Sequence, residues 1–573
     1  MPSTLPPPRQ RGYRSGQPLH HIDSFQLRGE DETQSAVPSR AASPAPSATR
    51  ESDVTAAEQN EEHDAETAQR RQDELGQAEK GEAAGGLKKR GGAAREGEKG
   101  EELVPAEERQ WKGDVVSWDS KDDPANPKNW SFTRRYLLVA TLGATTMSST
   151  FASSVFSSAL PYVAEQYNVS EEVATLGVSL FILGYVVGPI IFAPLSEVQG
   201  RKIGIYLGVF IFICLSAQTA TAKDLQTIMI TRFFAGVGAS APPAVVGGAL
   251  ADLFDARERA TAVVFYSLAI VAGPTIGPLV GSSVSQSYLG WRWTEYLVVI
   301  LASFIGVIGL LVVPETFAPV ILTRKARDLR FRTKRWALHS KHEENDFSLK
   351  HFAEKTLTRP LAMLIQEPMV LAICVYNSFC YGCLYLLFSA IPIVFEDGHG
   401  WTPVEGSLPF LAVLVGTLFA ASFNLIYSTH VYAPYVDKHG VASPEIRLPP
   451  MMAGGLAFPI GFFLLGWTPP AGQIVGLGFI GFAFLAIFQA GINYLLDAYT
   501  VYAASAVAAN TFLRSIFAAA LPLVAMPLYH NLGVGRACSL LGGIAAGLAL
   551  VPFVFYKYGP KLRSMSKFAQ TQT

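Results

Sequence analysis

Residues Leu268 to Ser283 read LAIVAGPTIGPLVGSS. Gly273-Pro274 and Gly277-Pro278 stand four residues apart, and Gly281 follows at the same step. That step places the glycines on one helix face, a bare seam along which a neighbouring helix can approach closely. Each proline removes a backbone N–H and crowds the turn before it. A soluble helix seldom carries two such breaks, whereas neighbouring helices and local adjustments satisfy the freed carbonyls of a membrane helix. The stretch therefore predicts a kinked, closely packed membrane span of the kind that seals or hinges a bundle.

Composition points the same way. The chain has 573 residues, of which 49% are apolar and 16% charged, against about 25% charged in soluble domains. Its mean hydropathy is positive. Charge concentrates before Arg135, between Arg324 and Arg359 and in short loops, the distribution of a polytopic membrane protein. A net charge of −1 argues against a nucleic-acid partner. The five cysteines all fall in apolar runs and read as small core residues, not as a disulfide framework or a metal site. No cofactor is expected.

Residues 1–134 form a polar tail too poor in apolar surface to offset the cost of ordering, so disorder is expected. No apolar stretch near Met1 suits a cleaved signal peptide. The tail ends in Asp123-Pro124-Ala125-Asn126-Pro127-Lys128-Asn129-Trp130, where the prolines favour extended backbone and Trp130 suits the headgroup level.

Apolar runs near 136–158, 173–195, 203–221, 226–250, 260–283, 295–313, 369–395, 405–427, 449–467, 472–494, 501–526 and 534–556 each approach the length of a membrane span. The predicted fold is an all-α membrane protein of about twelve spans. Residues 135–315 form one six-helix bundle and 369–557 a second, joined by a loop over 316–368 and followed by a short tail over 558–573. Basic residues cluster on one side: Arg201, Lys202, Arg257, Arg259, the Arg324–Arg359 run, Lys438, Arg447, Lys557, Lys561, Arg563 and Lys567. The positive-inside rule then places both tails and the central loop in the cytoplasm. Arg324–Leu338 interleaves basic residues with Leu, Phe and Trp, which suits a helix on the anionic inner leaflet and equally a solvated linker.

Several motifs resemble the fungal drug:proton antiporters of the major facilitator superfamily. Gly-Pro-x-x-Gly-Pro in the fifth span is similar to that family's antiporter motif, so Gly273, Pro274, Gly277 and Pro278 are gating candidates. Glu197-x-x-Gly200-Arg201-Lys202 resembles the superfamily's loop between the second and third helices, with Glu in place of Asp. The resemblance implies a gating latch of Glu197, Gly200 and Arg201. Glu197 can pair with a base or cap a helix start, and a static surface ion pair is the plainer reading. Val436-Asp437-Lys438-His439-Gly440 echoes this turn after the eighth span, as parallel six-span repeats would. Asp123–Trp130, the strings around Pro314-Glu315-Thr316, Pro444-Glu445-Ile446-Arg447-Leu448 and Asp497–Ser515 also look like the fungal subfamily. Together these cover nearly everything from Asp123 to Phe568.

Two charges lie deep in spans. Arg232, with Gly236 four residues on, resembles the fourth-helix motif whose basic residue is implicated in proton coupling. By count it is only about 10 Å from the outer end of its span, within snorkelling reach. Arg514 in the eleventh span is harder to explain by snorkelling, and bonding to backbone carbonyls is its structural alternative. A charge at membrane depth is costly and is expected to face a cavity or a partner. No Asp or Glu lies near the middle of any span, and Glu295 and Glu405 sit near outer ends. A buried proton carrier is therefore not visible, and two positive charges without an opposing carboxylate favour an anionic cargo. Asn377, Tyr381 and Gln489 are candidates for the substrate cavity or for bonds between helices. Asn168-Val169-Ser170 is a glycosylation sequon in a short predicted outer loop.

The resemblance implies a monomeric secondary transporter in the plasma membrane, or in a vacuolar or other internal membrane. It would export a small organic molecule (a secondary metabolite, organic acid or drug) against protons. An importer of the same fold and a non-transporting sensor are the alternatives. No enzyme is expected, since neither a Gly-Lys phosphate loop nor HExxH occurs.

Overall fold

Asp123 organises the approach to the first long helix. The computed structural model describes residues 114–344, 358–439, 443–566 and 568. The tail before residue 114, residues 345–357 of the central loop, Gly440 and Lys567 lie outside the described residues. The Asp123 carboxylate accepts from the amides of Ala125 at 2.8 Å and Asp119 at 3.0 Å and takes Lys325 Nζ at 3.3 Å. Burial pushes this carboxyl up, but the two amides and Lys325 outweigh it and hold it below its ordinary value. Asn129 donates to the carbonyls of Lys121 and Asp123, and Trp130 to that of Pro124. Val115 and His339 form a short parallel bridge, in which Val116 N–H donates to the His339 carbonyl and His339 N–H to the Asp114 carbonyl, and Val116 packs with Ala326 and Leu338. The expectation of disorder through residue 134 thus fails over 114–131. This segment has few apolar groups, but its prolines and one carboxylate satisfy its backbone locally.

Twelve helical spans follow: α1 Phe132–Val155, α2 Glu171–Val198, α3 Arg201–Thr221, α4 Leu225–Leu253, α5 Ala256–Ser285, α6 Arg292–Val312, α7 Pro368–Asp397, α8 Pro403–Lys438, α9 Pro449–Trp467, α10 Pro470–Ala498, α11 Ala503–Leu532 and α12 Val534–Ser564. Among the described residues, eleven helices are long and apolar enough to cross a membrane. The twelfth, α1, is less apolar because nine of its 24 residues are Ser or Thr. Its hydroxyls bond back to its own carbonyls, Thr145 to Thr141 and Thr146 to Leu142 at 2.9 Å each, so the helix buries them without orphaning them. Ser170 and Asp224 accept from backbone amides at the starts of α2 and α4. α4 breaks at Ser240, just before Pro242-Pro243, and α12 at Ala549.

The halves repeat one packing plan. α1 packs on α5, α2 on α4 and α3 on α6; α7 packs on α11, α8 on α10 and α9 on α12. Between halves, α2 runs along α11 and α5 along α8. Away from the basic loops, Phe156, Val163, Ala174, Val178 and Ile182 join the core of the second half. Nearer the basic face, Leu138, Leu142, Phe192, Val245 and Leu250 form a separate core of the first half. The two halves are thus welded at the far face. The central loop carries a helix over Ala318–Thr333, which stops at Lys334 in the left-handed conformation (φ 54°), short of the Leu338 expected from the sequence. Phe331 and Trp336 stack edge to face on its exposed side.

Candidate functional site

The turn between α2 and α3 is built on Gly200, at φ +104°, a left-handed geometry that favours glycine. A Cβ there would lie 2.6 Å from Glu315 Cδ. Glu315 accepts from the amides of Arg201 at 2.8 Å and Lys202 at 3.3 Å, so it caps α3 from the end of α6. The Arg201 guanidinium bonds Asp252 on α4 at 3.0 Å and Ser196 at 3.0 Å and lies over the Phe317 ring. The acid that binds the Arg201 guanidinium is Asp252, and the helix cap comes from Glu315. Glu197 is exposed on the last turn of α2. The second half has its own pairs: Arg447 binds Asp497 at 2.8 Å, and Arg563 grips Glu445 with two bonds of 3.0 Å.

The glycine seam faces α1. A Cβ on Gly273 would lie 2.8 Å from Met147 O, on Gly277 2.9 Å from Val155 N, and on Gly281 2.5 Å from Val155 O. α5 runs unbroken through Pro274 and Pro278, and Ser158 donates to the Pro278 carbonyl at 3.0 Å. The seam thus welds two helices of one half; the meeting of halves lies elsewhere on α5, where Ser282 bonds Ser407 at 2.8 Å.

Arg232 is fully buried and so is Glu295, in the first turn of α6. Their Nη1–Oε1 distance is 2.8 Å. Arg232 also donates to the carbonyls of Gly177 (3.2 Å) and Ala152 (3.1 Å), and its guanidinium lies 4.5 Å from the Phe156 and Phe181 ring centres. Arg232 Nη2 and Glu295 Oε2 have no hydrogen-bond partner. The expectation that no carboxylate offsets this charge is overturned. Glu295 sits near the end of its helix by count, yet the helix ends around it pack closely enough to bury it.

Arg514 is half-buried in α11. Its guanidinium lies 4.8 Å from the Tyr381 ring centre and 5.0 Å from that of Phe488, and no ion pair reaches it among the described residues. Tyr381 stacks on Phe488, which stacks on Phe484. Tyr385, one turn along α7, contacts Ser153 of α1 at 2.9 Å, a polar bond between halves. Tyr185 of α2 donates to the Ser149 carbonyl beside it. Arg514 and Tyr381 are therefore together where the halves meet, and Arg232 belongs to a separate, closed pair.

Asn377 is fully buried. It donates to Asn510 at 3.2 Å and lies against Gly491, tying α7 to α11 and α10. Gln489 accepts from Asn424 at 3.0 Å. Both line a cleft of about 380 Å³, counting its open mouth, with Val264, Tyr427, Arg447 and Asn493. The cleft lies between Val264 of α5 and residues of the second half, among them Arg447 of the basic face. Asn168 is exposed, in the left-handed conformation that ends a short helix over Leu160–Tyr167.

Sequence reading did not single out Glu295, Asp252 or Phe488 for these roles. An acid just inside a span beginning Trp291-Arg292-Trp293 was the available signal for Glu295; Asp252 and Phe488 gain meaning only from contacts across helices.

Residues 142–522 match the family model described as Major Facilitator Superfamily. The citrinin biosynthesis cluster MFS transporter mrr1 of Monascus ruber is 41% identical over 461 residues, 79% of this chain and 92% of the relative. Efflux pump bik6 of Gibberella fujikuroi is 40% identical over 473 residues, 82% of this chain and 97% of the relative. The multidrug transporter FLU1 of Candida albicans is 40% identical over 463 residues, 79% and 76% of the two chains. Among solved structures, the proton:xylose symporter XylE superposes with a TM-score of 0.55 at 17% identity, covering 75% of this chain and 96% of that one. The human organic anion transporter MFSD10 gives 0.52 at 17%, covering 74% and 100%. At such identities the structural likeness concerns the fold alone, and its two six-helix halves are those described above. With the sequence relatives and the family model in agreement, the chain belongs to the major facilitator superfamily.

Proposed function

We propose that the protein is a transporter, not an enzyme, and exports a small organic anion with a planar aromatic body by proton antiport and alternating access. The observation that carries this reading is the bed of Arg514 on Tyr381 and Phe488, beside the Ser153–Tyr385 bond that joins the halves. A half-buried guanidinium without a carboxylate gains from an anionic partner, and flat rings beside it suit a flat ligand. With Arg232 neutralised by Glu295, the preference for anions rests on Arg514 alone. Export and cargo of the metabolite or drug class are supported by relatives named as an efflux pump, a multidrug transporter and a biosynthesis-cluster transporter. In this reading the basic face is cytoplasmic, and the Gln489 cleft is the residue of an inward opening while the outer face is shut.

The test uses two dyes that share a flat xanthene core, anionic carboxyfluorescein and cationic rhodamine 6G, in liposomes holding the purified protein. Transport of the anion that Arg514→Gln removes supports the reading. Transport of the cation alone, or anion transport unchanged in Arg514→Gln, contradicts the cargo assignment.

A further inference from the structure

We infer that Glu295 is the proton-carrying carboxylate of the transport cycle, that Arg232 is its fixed counter-charge, and that Phe156 and Trp291 form the cover that admits protons only when the outer face opens. This rests on the reading of the protein as a proton antiporter.

The geometry is that of a carboxylate that can lose its charge without losing its site. Arg232 is held by the Gly177 and Ala152 carbonyls and between two aromatic rings as well as by Glu295. Protonating Glu295 removes one of these interactions and leaves the guanidinium anchored. Glu295 Oε2 has no hydrogen-bond partner, so the oxygen that would receive the proton is open. A fully buried pair with unmet donors and acceptors is costly to keep for stability alone, and an apolar pair would serve packing as well.

Access is tied to conformation. Phe156 covers one face of Arg232, and Trp291, one turn before Glu295, meets Phe156 edge-on at 6.2 Å. Both rings belong to the core shared with the second half. Parting the halves at the outer face strips that packing from Phe156 and Trp291 and opens the pair to outside water. Closing it, as here, seals both residues completely. A proton from outside then binds Oε2 in the outward-open state, and the neutral acid crosses the closed state. Release to the inside needs an inward opening wider than this one, in which the pair is still sealed; once water reaches the site, the charged Arg232 beside it drives the proton off.

The charged and titratable neighbours are few. Tyr185 of α2 is the other group within electrostatic reach of Arg232, and Arg232 is the group acting on Glu295. From α1 and the turn after it come Ala152 and Phe156, which do not titrate. On α6 itself Arg292 points away, to Gln166, the Tyr167 hydroxyl and the Ala222 carbonyl.

The full chain is reconstituted as wild type, Glu295→Gln and Glu295→Asp, with carboxyfluorescein as probe. Accumulation driven by a pH gradient is compared with gradient-free exchange, and pH-difference infrared spectra are recorded without substrate. Glu295→Gln is expected to lose driven accumulation to the level of empty liposomes and to keep exchange. Glu295→Asp is expected to regain driven accumulation in part. A protonated-carboxyl band that rises on acidification should vanish in Glu295→Gln and shift in Glu295→Asp. Driven accumulation by Glu295→Gln at the wild-type level overturns the proposal, as does loss of both transport modes by a protein with native helicity and elution. An infrared band unchanged in both variants overturns it too, including where Glu295→Gln does not fold and Glu295→Asp is read alone. A wild type that exchanges the dye but never accumulates it strikes the antiport reading instead, and the infrared band still decides whether Glu295 takes up a proton.

Discussion

The hydroxyls of Ser153 on α1 and Tyr385 on α7 meet at 2.9 Å with both side chains buried, so a polar bond joins the halves within a turn of Tyr381. A net hydrogen bond contributes about 0.5–1.5 kcal/mol, and here it exists only while the halves touch. Tyr385→Phe should therefore shift the population towards outer opening, by up to roughly tenfold. Labelling of a cysteine placed near Ser407 reports this. Unchanged labelling would show that the bond does not favour the closed state.

The latch makes a sharper claim about partners. Arg201 and Asp252 are 13% and 17% exposed, so their bond is not a screened surface pair. Arg201→Ala and Asp252→Asn should each cost about 1–3 kcal/mol of the state in which they pair. The double variant should cost little more than either one. Glu197→Ala, at an exposed position, should do less. Strict additivity of the two variants in a thermal-shift and accessibility series would separate Arg201 from Asp252.

Along the seam, backbone leaves no room for even a methyl group. Gly277→Ala brings Cβ to 2.9 Å from Val155 N, whereas Gly143→Ala meets only the Ala269 methyl at 3.3 Å. Overpacking of this kind costs about 1–3 kcal/mol. Gly277→Ala should lower the melting temperature and flux clearly more than Gly143→Ala, and Gly277→Leu should abolish flux with membrane insertion kept. Equal effects of the two alanine variants would take the seam out of the account.

The contact between the 114–131 segment and the central loop depends on pH in two opposite ways. The His339 side chain lies beside the Ala337 carbonyl and Glu344, which raise its pKa above 6.5. Its stabilisation is full below about 6.5 and is lost as pH rises through the raised folded value. The Asp123 carboxyl is lowered, so its contribution is present above about 3.9 and is lost as pH falls through the lowered folded value. Protection of the Val116 amide, which bonds the His339 carbonyl at 2.8 Å, should weaken in hydrogen exchange as pH rises above about 6.5, after correction for intrinsic rate. His339→Ala should flatten that change, and protection that grows with pH would refute the sign.

Much of the fold is legible from hydropathy because membrane spans announce themselves by length. α1 shows the limit: its hydroxyls depress the apolar signal, and only their back-bonding to the helix explains how it packs. The deep arginines were also visible, since charge is rare at that depth. Their environments were not. Arg232 and Glu295 are 63 residues apart in sequence, and residue counting places an acid near an end without showing whether packing buries that end. Arg514 likewise gains its setting from Tyr381, a cavity candidate by sequence, and from Phe488, which reads in sequence as ordinary core. The ordered 114–131 segment is not legible in composition, which weighs apolar surface and is blind to one aspartate satisfying two amides and a lysine.

The most direct test of the central claim is substrate accumulation in inside-out vesicles containing the purified chain, with the lumen, which corresponds to the outside, made acidic. Carboxyfluorescein should accumulate against its gradient as protons leave the lumen, and a protonophore should abolish the accumulation. Accumulation that persists with the protonophore, or that requires an alkaline lumen, would contradict export by proton antiport.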